Sequence, residues 1–516
     1  MRRAWIALPA LLGFGLSVAL PLGAQADDSL ETRLEAPLEA RLDAVLKSKA
    51  LRGARVSALV ERQRTGEILY QVAPDRPLTP ASNVKILTAM ASLSVFGPTY
   101  RFETLIHSDR WPDSEGAVGQ LVVRGSGDPA MNSEDWWRVA NALRHAGLRR
   151  VRGDLVLDDA AFDRERWHAS WGKTSSRAYH APVGALTANY GSFAVRVAPG
   201  VAPGDPVAVA VDPPVPYLRV VNRARTASPG ARSTLVVDRA ESELDRSQGH
   251  GDWEIVTIHG AVPAGREPDT YYRSVLDPAR YAGAVLRMQL EANGIQVDGA
   301  TRVRGPVPVG TELYLHEGRQ LAEIVRLFVK YSNNAVAESL VKAMAVHENG
   351  GAGPGSWDAG APILARRLEE LGLDPAGFSL IDGSGLSYGN KVTVRTMVRA
   401  LQISGRSFRF GPELLAALPI AARDGTLERR AQGAAGEVRA KTGLLNGVTA
   451  LSGLAHLGDG DTAVFSIIVN GYRGTDEVAM DALDAFAAEL TRASLATPAK
   501  PASDVQPSAE PGSSSL

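Results

Sequence analysis

The helical pattern of this 516-residue chain breaks off near residue 96 and resumes near residue 276. The side chains suited to one piece of chemistry stand on both sides of the break. Ser82 and Lys85 come before it; Ser332, Asn334 and the run Lys441-Thr442-Gly443 come after it. A fold that gathers them has to close residues 27–95 and 276–493 into one domain and let 96–275 out as an insertion. One hydrophobic core rarely serves a chain this long, so two or three domains are expected.

Local patterns agree with that division. Leu30, Leu34, Leu38, Leu42 and Leu46 repeat at every fourth position, which predicts a helix over 27–50 with Pro37 as a break point. Strand-like runs at 55–61 and 68–72 flank Arg64-Thr65-Gly66 and read as a hairpin. A loop over 77–80 leads into an apolar helix, 86–96, whose composition predicts burial on nearly all sides. From 96 to 275, short strands at 102–106, 120–123, 154–157, 193–197, 207–211, 234–237 and 254–258 alternate with Gly, Pro and Asp turns. Only 134–145 is helical there, and a boundary near 205 would divide the insertion in two. Helices follow at 278–293, 321–330, 335–346, 361–371 and 394–401, then strands at 438–441, 448–456 and 463–470, and a last helix at 476–493. The Pro/Ser/Ala-rich stretch 494–516 has the composition of a disordered tail.

The N-terminus has the make-up of an export signal. Arg2 and Arg3 precede an apolar stretch over 4–22, and Ala24-Gln25-Ala26 offers a small-x-small site, which predicts a signal peptide over 1–26 cleaved after Ala26. An exported, periplasmic protein follows, and no later run is apolar enough to span a bilayer. The chain has no cysteine, which excludes disulfide staples, a thiol nucleophile and a lipid-modified cysteine. A formal net charge of −1 gives no footprint for nucleic acid. The nine histidines are scattered and no His-Glu-x-x-His run occurs, so neither a metal nor another cofactor is expected.

Acyl transfer by serine needs a hydroxyl beside a base, and positions i and i+3 of a helix share a face. Three pairs have that spacing: Ser82 with Lys85, Ser170 with Lys173, and Ser339 with Lys342. The second lies in a Trp/Gly/Ser loop and the third in the middle of a helix. Ser82 follows Pro80 and Ala81 at a helix start, where the helix dipole favours negative charge. As a base, Lys85 needs a lowered pKa, which burial and a second cation such as Lys441 would supply. Ser332 and Asn334 sit in a tight turn between helices, where they serve either as helix caps or as a proton relay and a substrate contact. Lys441, Thr442 and Gly443 end a strand; a cation and a hydroxyl there can hold a terminal carboxylate, and the glycine lets a substrate backbone lie close.

Together and in this order, the motifs resemble those of the penicillin-binding and serine β-lactamase superfamily. The long gap between the first two is similar to the class C, type 4 low-molecular-mass penicillin-binding proteins, which are D-alanyl-D-alanine carboxypeptidases/endopeptidases. Gly125-Ser126-Gly127-Asp128-Pro129, Ala181-Pro182-Val183-Gly184-Ala185-Leu186 and Asp382-Gly383-Ser384-Gly385-Leu386-Ser387 extend the resemblance over about 27–493. It implies an α/β fold, an antiparallel sheet flanked by helices with a large β-rich insert. It makes Ser82 the acylated nucleophile, Lys85 the base, Ser332 and Asn334 the proton and substrate network, and Lys441 and Thr442 the carboxylate clamp. Backbone N–H groups of Ser82 and Leu444 would form the oxyanion hole. Asp158 resembles an insert acid that meets the diaminopimelate side chain, or is an ordinary turn residue.

Two positions depart from the family pattern: Asn333 stands where an aspartate is common, and Leu444 where a hydroxyl residue is common. The implied substrates are peptidoglycan stem peptides, with β-lactams as inhibitors of the same serine. The alternatives are a serine β-lactamase and a catalytically weak peptidoglycan-binding or scaffold protein.

Overall fold

The computed structural model describes residues 36–241 and 253–492. The expected signal peptide, positions 27–35 of the expected first helix and the 494–516 tail lie outside the described residues. Within them, Pro37 caps the start of a helix, Leu38–Leu46.

A five-stranded antiparallel sheet holds the split domain together. Its order is Ile68–Val72, Arg55–Arg62, Thr462–Asn470, Val448–His456 and Val438–Leu445. The ladder between Arg55–Arg62 and Thr462–Asn470 joins the two ends of the chain, from Arg55 opposite Asn470 to Arg62 opposite Ala463. Both faces of Thr462–Asn470 are covered, so its sequence reads as an apolar run rather than an alternation. Val464 and Ile468 point into a core with Ile86, Leu87, Met90, Val398 and Leu401. Phe465, Ile467 and Val469 point the other way, onto Leu42, Leu483 and Phe486. The helix Val84–Phe96 is buried from Val84 through Leu93 and is packed by Leu321–Tyr331, Asn334–Glu348, Trp357–Glu370 and Val394–Arg406. It is the central helix of this domain, as its composition predicts.

The insertion has its own core. A mixed sheet runs in the order Thr301–Arg304, Leu155–Asp158, Leu121–Gly125, Arg101–Ser108 and Thr311–Gln320. Helices Ser133–His145 and Pro278–Ala292 pack against each other, and Trp136, Leu143, Val285 and Leu286 bury with Ile106, Val123 and Leu157. This moves the expected end of the insertion. The helix placed by sequence after the 275 boundary turns its apolar face to the insert core, and the layer closes only where Gln320 pairs with Arg101. Periodicity shows that a helix has an apolar face but not which core receives it. Position 205 is likewise a hairpin loop and no boundary, because Ala198 pairs with Ala208 across it. A second unit begins at Ser192–Ala198, which Asp269–Ser274 also flanks, and Leu218–Asn222, Glu254–His259 and Val236–Glu241 form its other sheet. Among the described residues no helix is long and apolar enough to cross a membrane.

Phe486 is fully buried and its ring lies 6.2 Å from that of Tyr70 and 6.4 Å from that of Phe465. Phe486→Ala is expected to cost about 3–5 kcal/mol, read as a lower midpoint in urea unfolding.

Candidate active site

Ser82 lies in a single 3-10 turn, Ala81–Asn83, that runs directly into the central helix. The turn is stitched to the sheet. Thr79 exchanges two hydrogen bonds with the Asn470 side chain, at 2.9 and 3.0 Å, and Asn83 Nδ2 donates to Ser452 Oγ at 2.8 Å. These contacts hold Ala81 at a φ of +49°, where an alanine is strained. Two glycines let neighbouring segments close on the turn. A Cβ on Gly385, which has a φ of +85°, would lie 1.9 Å from the Ala81 carbonyl oxygen, and one on Gly443 would lie 2.7 Å from that of Pro80. The room that Gly443 provides is therefore occupied by the serine's own turn.

Lys85 is fully buried, and its Nζ has three oxygen neighbours: Ser82 Oγ at 3.0 Å, Asn334 Oδ1 at 2.6 Å and the Ser384 carbonyl at 2.6 Å. The Asn334 amide is oriented by its other end, where Nδ2 donates to the Tyr179 carbonyl of the insertion at 2.8 Å. Two of the three neighbours can thus only accept. A neutral amine has two N–H bonds and one lone pair, so donation to Asn334 and Ser384 leaves the lone pair facing the Ser82 hydroxyl. Burial pushes the Lys85 pKa down to about 7, against the opposing charges of Glu338 and Asp382.

Lys441 brings the far end of the chain to the same place. It is fully buried, donates to Ser332 Oγ at 2.9 Å and has a pKa well below the usual lysine range, from burial first and then from Lys85 and Arg430. Its strand, Val438–Leu445, is an edge of the sheet, with the 419–421 segment bonded along its first residues and, among the described residues, no strand beside 441–445 on that side. Thr442 Oγ1 donates to Thr426 Oγ1 at 2.8 Å, and the Leu444 side chain is 43% exposed. Ser332 ends the preceding helix at a φ of +58°. The capping of the next helix falls to neither Ser332 nor Asn334: the Asn333 side chain accepts from Val336 N at 3.1 Å. Its two neighbours are bonded to the two buried lysines instead, Ser332 to Lys441 and Asn334 to Lys85.

The competing serine–lysine pairs lie elsewhere. Lys342 pairs with Asp163 at 2.5 Å and stands 3.7 Å from the Trp357 ring centroid, pinning the insertion to the helix Asn334–Glu348. Ser170 is exposed and bonded to His168. Asp158 does not fit the substrate contact suggested for it. It is 2% exposed in the insert sheet, where it pairs with Arg124 at 2.9 Å and accepts from the Ala160 and Val307 N–H groups. Three of its roughly four acceptor positions are taken, and the side chain is closed off from solvent.

Several residues around the lysine were not singled out from sequence: Glu338, Ser384, Tyr179 and Thr426. Asp382–Ser387 reads as a conformationally demanding turn, and Asp382 accounts for the demand. It accepts from the N–H groups of Gly385 and Ser387 at 2.7 Å each, from Asn390 Nδ2 at 2.8 Å and from Trp171 Nε1 of the insertion at 2.9 Å. Glu338 was detectable in principle. It is an acid in a largely apolar helical run, one turn after Asn334 and on the same face.

The model of the "D-Ala-D-Ala carboxypeptidase 3 (S13) family" matches residues 38–490. A D-alanyl-D-alanine carboxypeptidase of Actinomadura sp. is 37% identical over 510 residues, covering 95% of this chain and 90% of the relative. The D-alanyl-D-alanine carboxypeptidase DacB of Haemophilus influenzae is 25% identical, over 84% of this chain and 88% of the relative. In fold, the chain is similar to the crystal structure of penicillin binding protein 4 (dacB) from Haemophilus influenzae. The TM-score is 0.73 at 23% identity, covering 87% of this chain and 98% of that one. The same protein complexed with a β-lactam gives a TM-score of 0.70. The family match spans nearly all the described residues and the Actinomadura relative nearly the whole chain: the chain belongs to the D-Ala-D-Ala carboxypeptidase 3 (S13) family.

Proposed function

We propose that the protein is a serine-type D-Ala-D-Ala carboxypeptidase/endopeptidase acting on peptidoglycan stem peptides through an acyl-enzyme on Ser82. The observation that carries this reading is the Lys85 amine, buried, 3.0 Å from Ser82 Oγ and held by two obligate acceptors. Lys85 takes the Ser82 proton as Oγ attacks the carbonyl carbon of the penultimate D-alanine. The backbone N–H groups of Ser82 and Leu444 receive the oxyanion. Ser332, held by Lys441, relays the proton that Lys85 has taken to the departing amine as the C–N bond breaks, which returns Lys85 to its neutral form. Asn334 contacts the peptide backbone, and Lys441 and Thr442 hold the carboxylate of the terminal D-residue. Water then hydrolyses the ester and restores the Ser82 hydroxyl.

The same serine is the target for β-lactams. Labelled penicillin is expected to give a stable adduct on Ser82 that is absent from Ser82→Ala. Rapid release would indicate a β-lactamase, and no adduct a binding protein. Pentapeptide and cross-linked muropeptide dimers, supplied separately, distinguish carboxypeptidase from endopeptidase turnover; consumption of neither overturns the enzymatic reading. The reading also includes export, with a mature N-terminus at Asp27, which sequencing of the exported protein checks.

The pH dependence follows from the base. Lys85 works only when neutral, and burial puts its pKa at about 7. Acylation (kcat/KM) should fall roughly tenfold per pH unit below that value and level off above it. A rate that does not change between pH 5.5 and 8 would remove Lys85 from the role of base.

A further inference from the structure

Glu338 is fully buried one helical turn beyond Asn334 and does not touch Ser82. All its hydrogen bonds are received. Oε1 accepts from the Ser384 N–H at 2.7 Å, and Oε2 from the Gly383 N–H at 3.1 Å and from Trp357 Nε1 at 2.8 Å. Three donors converge on two oxygens, an arrangement that suits a carboxylate and leaves no acceptor for an acid proton. It holds Ser384 by its N–H, and the carbonyl of that same residue accepts from Lys85; the N–H across from that carbonyl, on Gly385, is held by Asp382 at 2.7 Å. On the other side of that loop Gly385 abuts the Ala81 carbonyl, next to Ser82.

We propose that Glu338 is a positioning residue for the Lys85 base, fixing the Ser384 carbonyl on the amine and placing a buried negative charge behind it. The proposal rests on the assignment of Lys85 as the base. The charge opposes burial. Desolvation alone drives a lysine toward permanent neutrality, and a base of very low pKa is a poor proton acceptor. An anion behind the amine keeps its basicity matched to a pH near 7. Charged groups face this pair from each packed element: Asp382 from the loop, Lys441 from the edge strand, and Lys342, paired with Asp163, one turn further along the helix of Glu338. Burial and Asp382 push the Glu338 carboxyl above the usual carboxylate range, while its three N–H donors hold it down.

The test is Glu338→Gln, read by penicillin acylation between pH 5 and 9. Removing the anion lowers the pKa of Lys85, so the acid limb should move about one unit to lower pH. The weaker, less well-held base should cut the plateau rate by roughly ten- to a hundredfold. A purely structural role would lower the rate and leave the limb where it is. Trp357→Phe removes one donor to Glu338 and favours its neutral form; the limb should move the same way by less. Trp357→Phe decides the matter if Glu338→Gln does not fold. A folded variant whose acid limb coincides with wild type overturns the proposal. Failure of the wild-type protein to acylate would instead overturn the assignment of Ser82 and Lys85.

Discussion

The arrangement of this domain depends on taking the Lys85 amine out of water. A shift from 10.5 to about 7 corresponds to roughly 5 kcal/mol of preference against the charged form. That preference exists only if the helix Val84–Phe96 is covered on every side, because an exposed lysine keeps its charge. Four helices and the sheet supply the cover. Many of the domain's contacts therefore converge on one amine and on the serine one helical turn before it.

The insertion takes part in that closure. Its Tyr179 carbonyl orients the Asn334 amide, its Trp171 indole donates to Asp382, and its Asp163 pairs with Lys342. Each contact falls on an element that also touches the lysine or its acceptors. A domain that leaves the chain at Arg101 and returns at Gln320 is thus fastened to the rear and the lip of the cleft. The price of such closure is backbone strain beside the serine: Ala81 and Ser332, both non-glycine, have positive φ values of 49° and 58°.

Much of the elementary pattern was legible in the residues. The hairpin at 55–72, the buried helix after Ser82 and the apolar strand ending at Asn470 each carry a local signature, and each forms. The extent of the insertion was not legible. The helix Pro278–Ala292 has one apolar face, and nothing in its own sequence tells which core will take it. Asp158 stayed open between two readings for a similar reason, since an acid at a strand end looks the same whether it faces a cleft or an arginine.

The chain's order of residues alone determined that a serine and a lysine would share a helical face, that Lys441 would lie on a strand, and that the serine and this strand would belong to one domain despite the long interruption; the strand was expected to end at Lys441 but runs on to Leu445. Those are local or patterned properties, set by helix and strand periodicity. Tertiary structure decided which serine–lysine pair has its lysine turned onto its serine, that Asn333 and not its neighbours caps the helix, and that Glu338 and Asp382 stand behind the base. These outcomes depend on what lies across a few ångströms of interior from segments hundreds of positions away. In a low-dielectric core it is those neighbours, more than the side chain itself, that set charge and proton position.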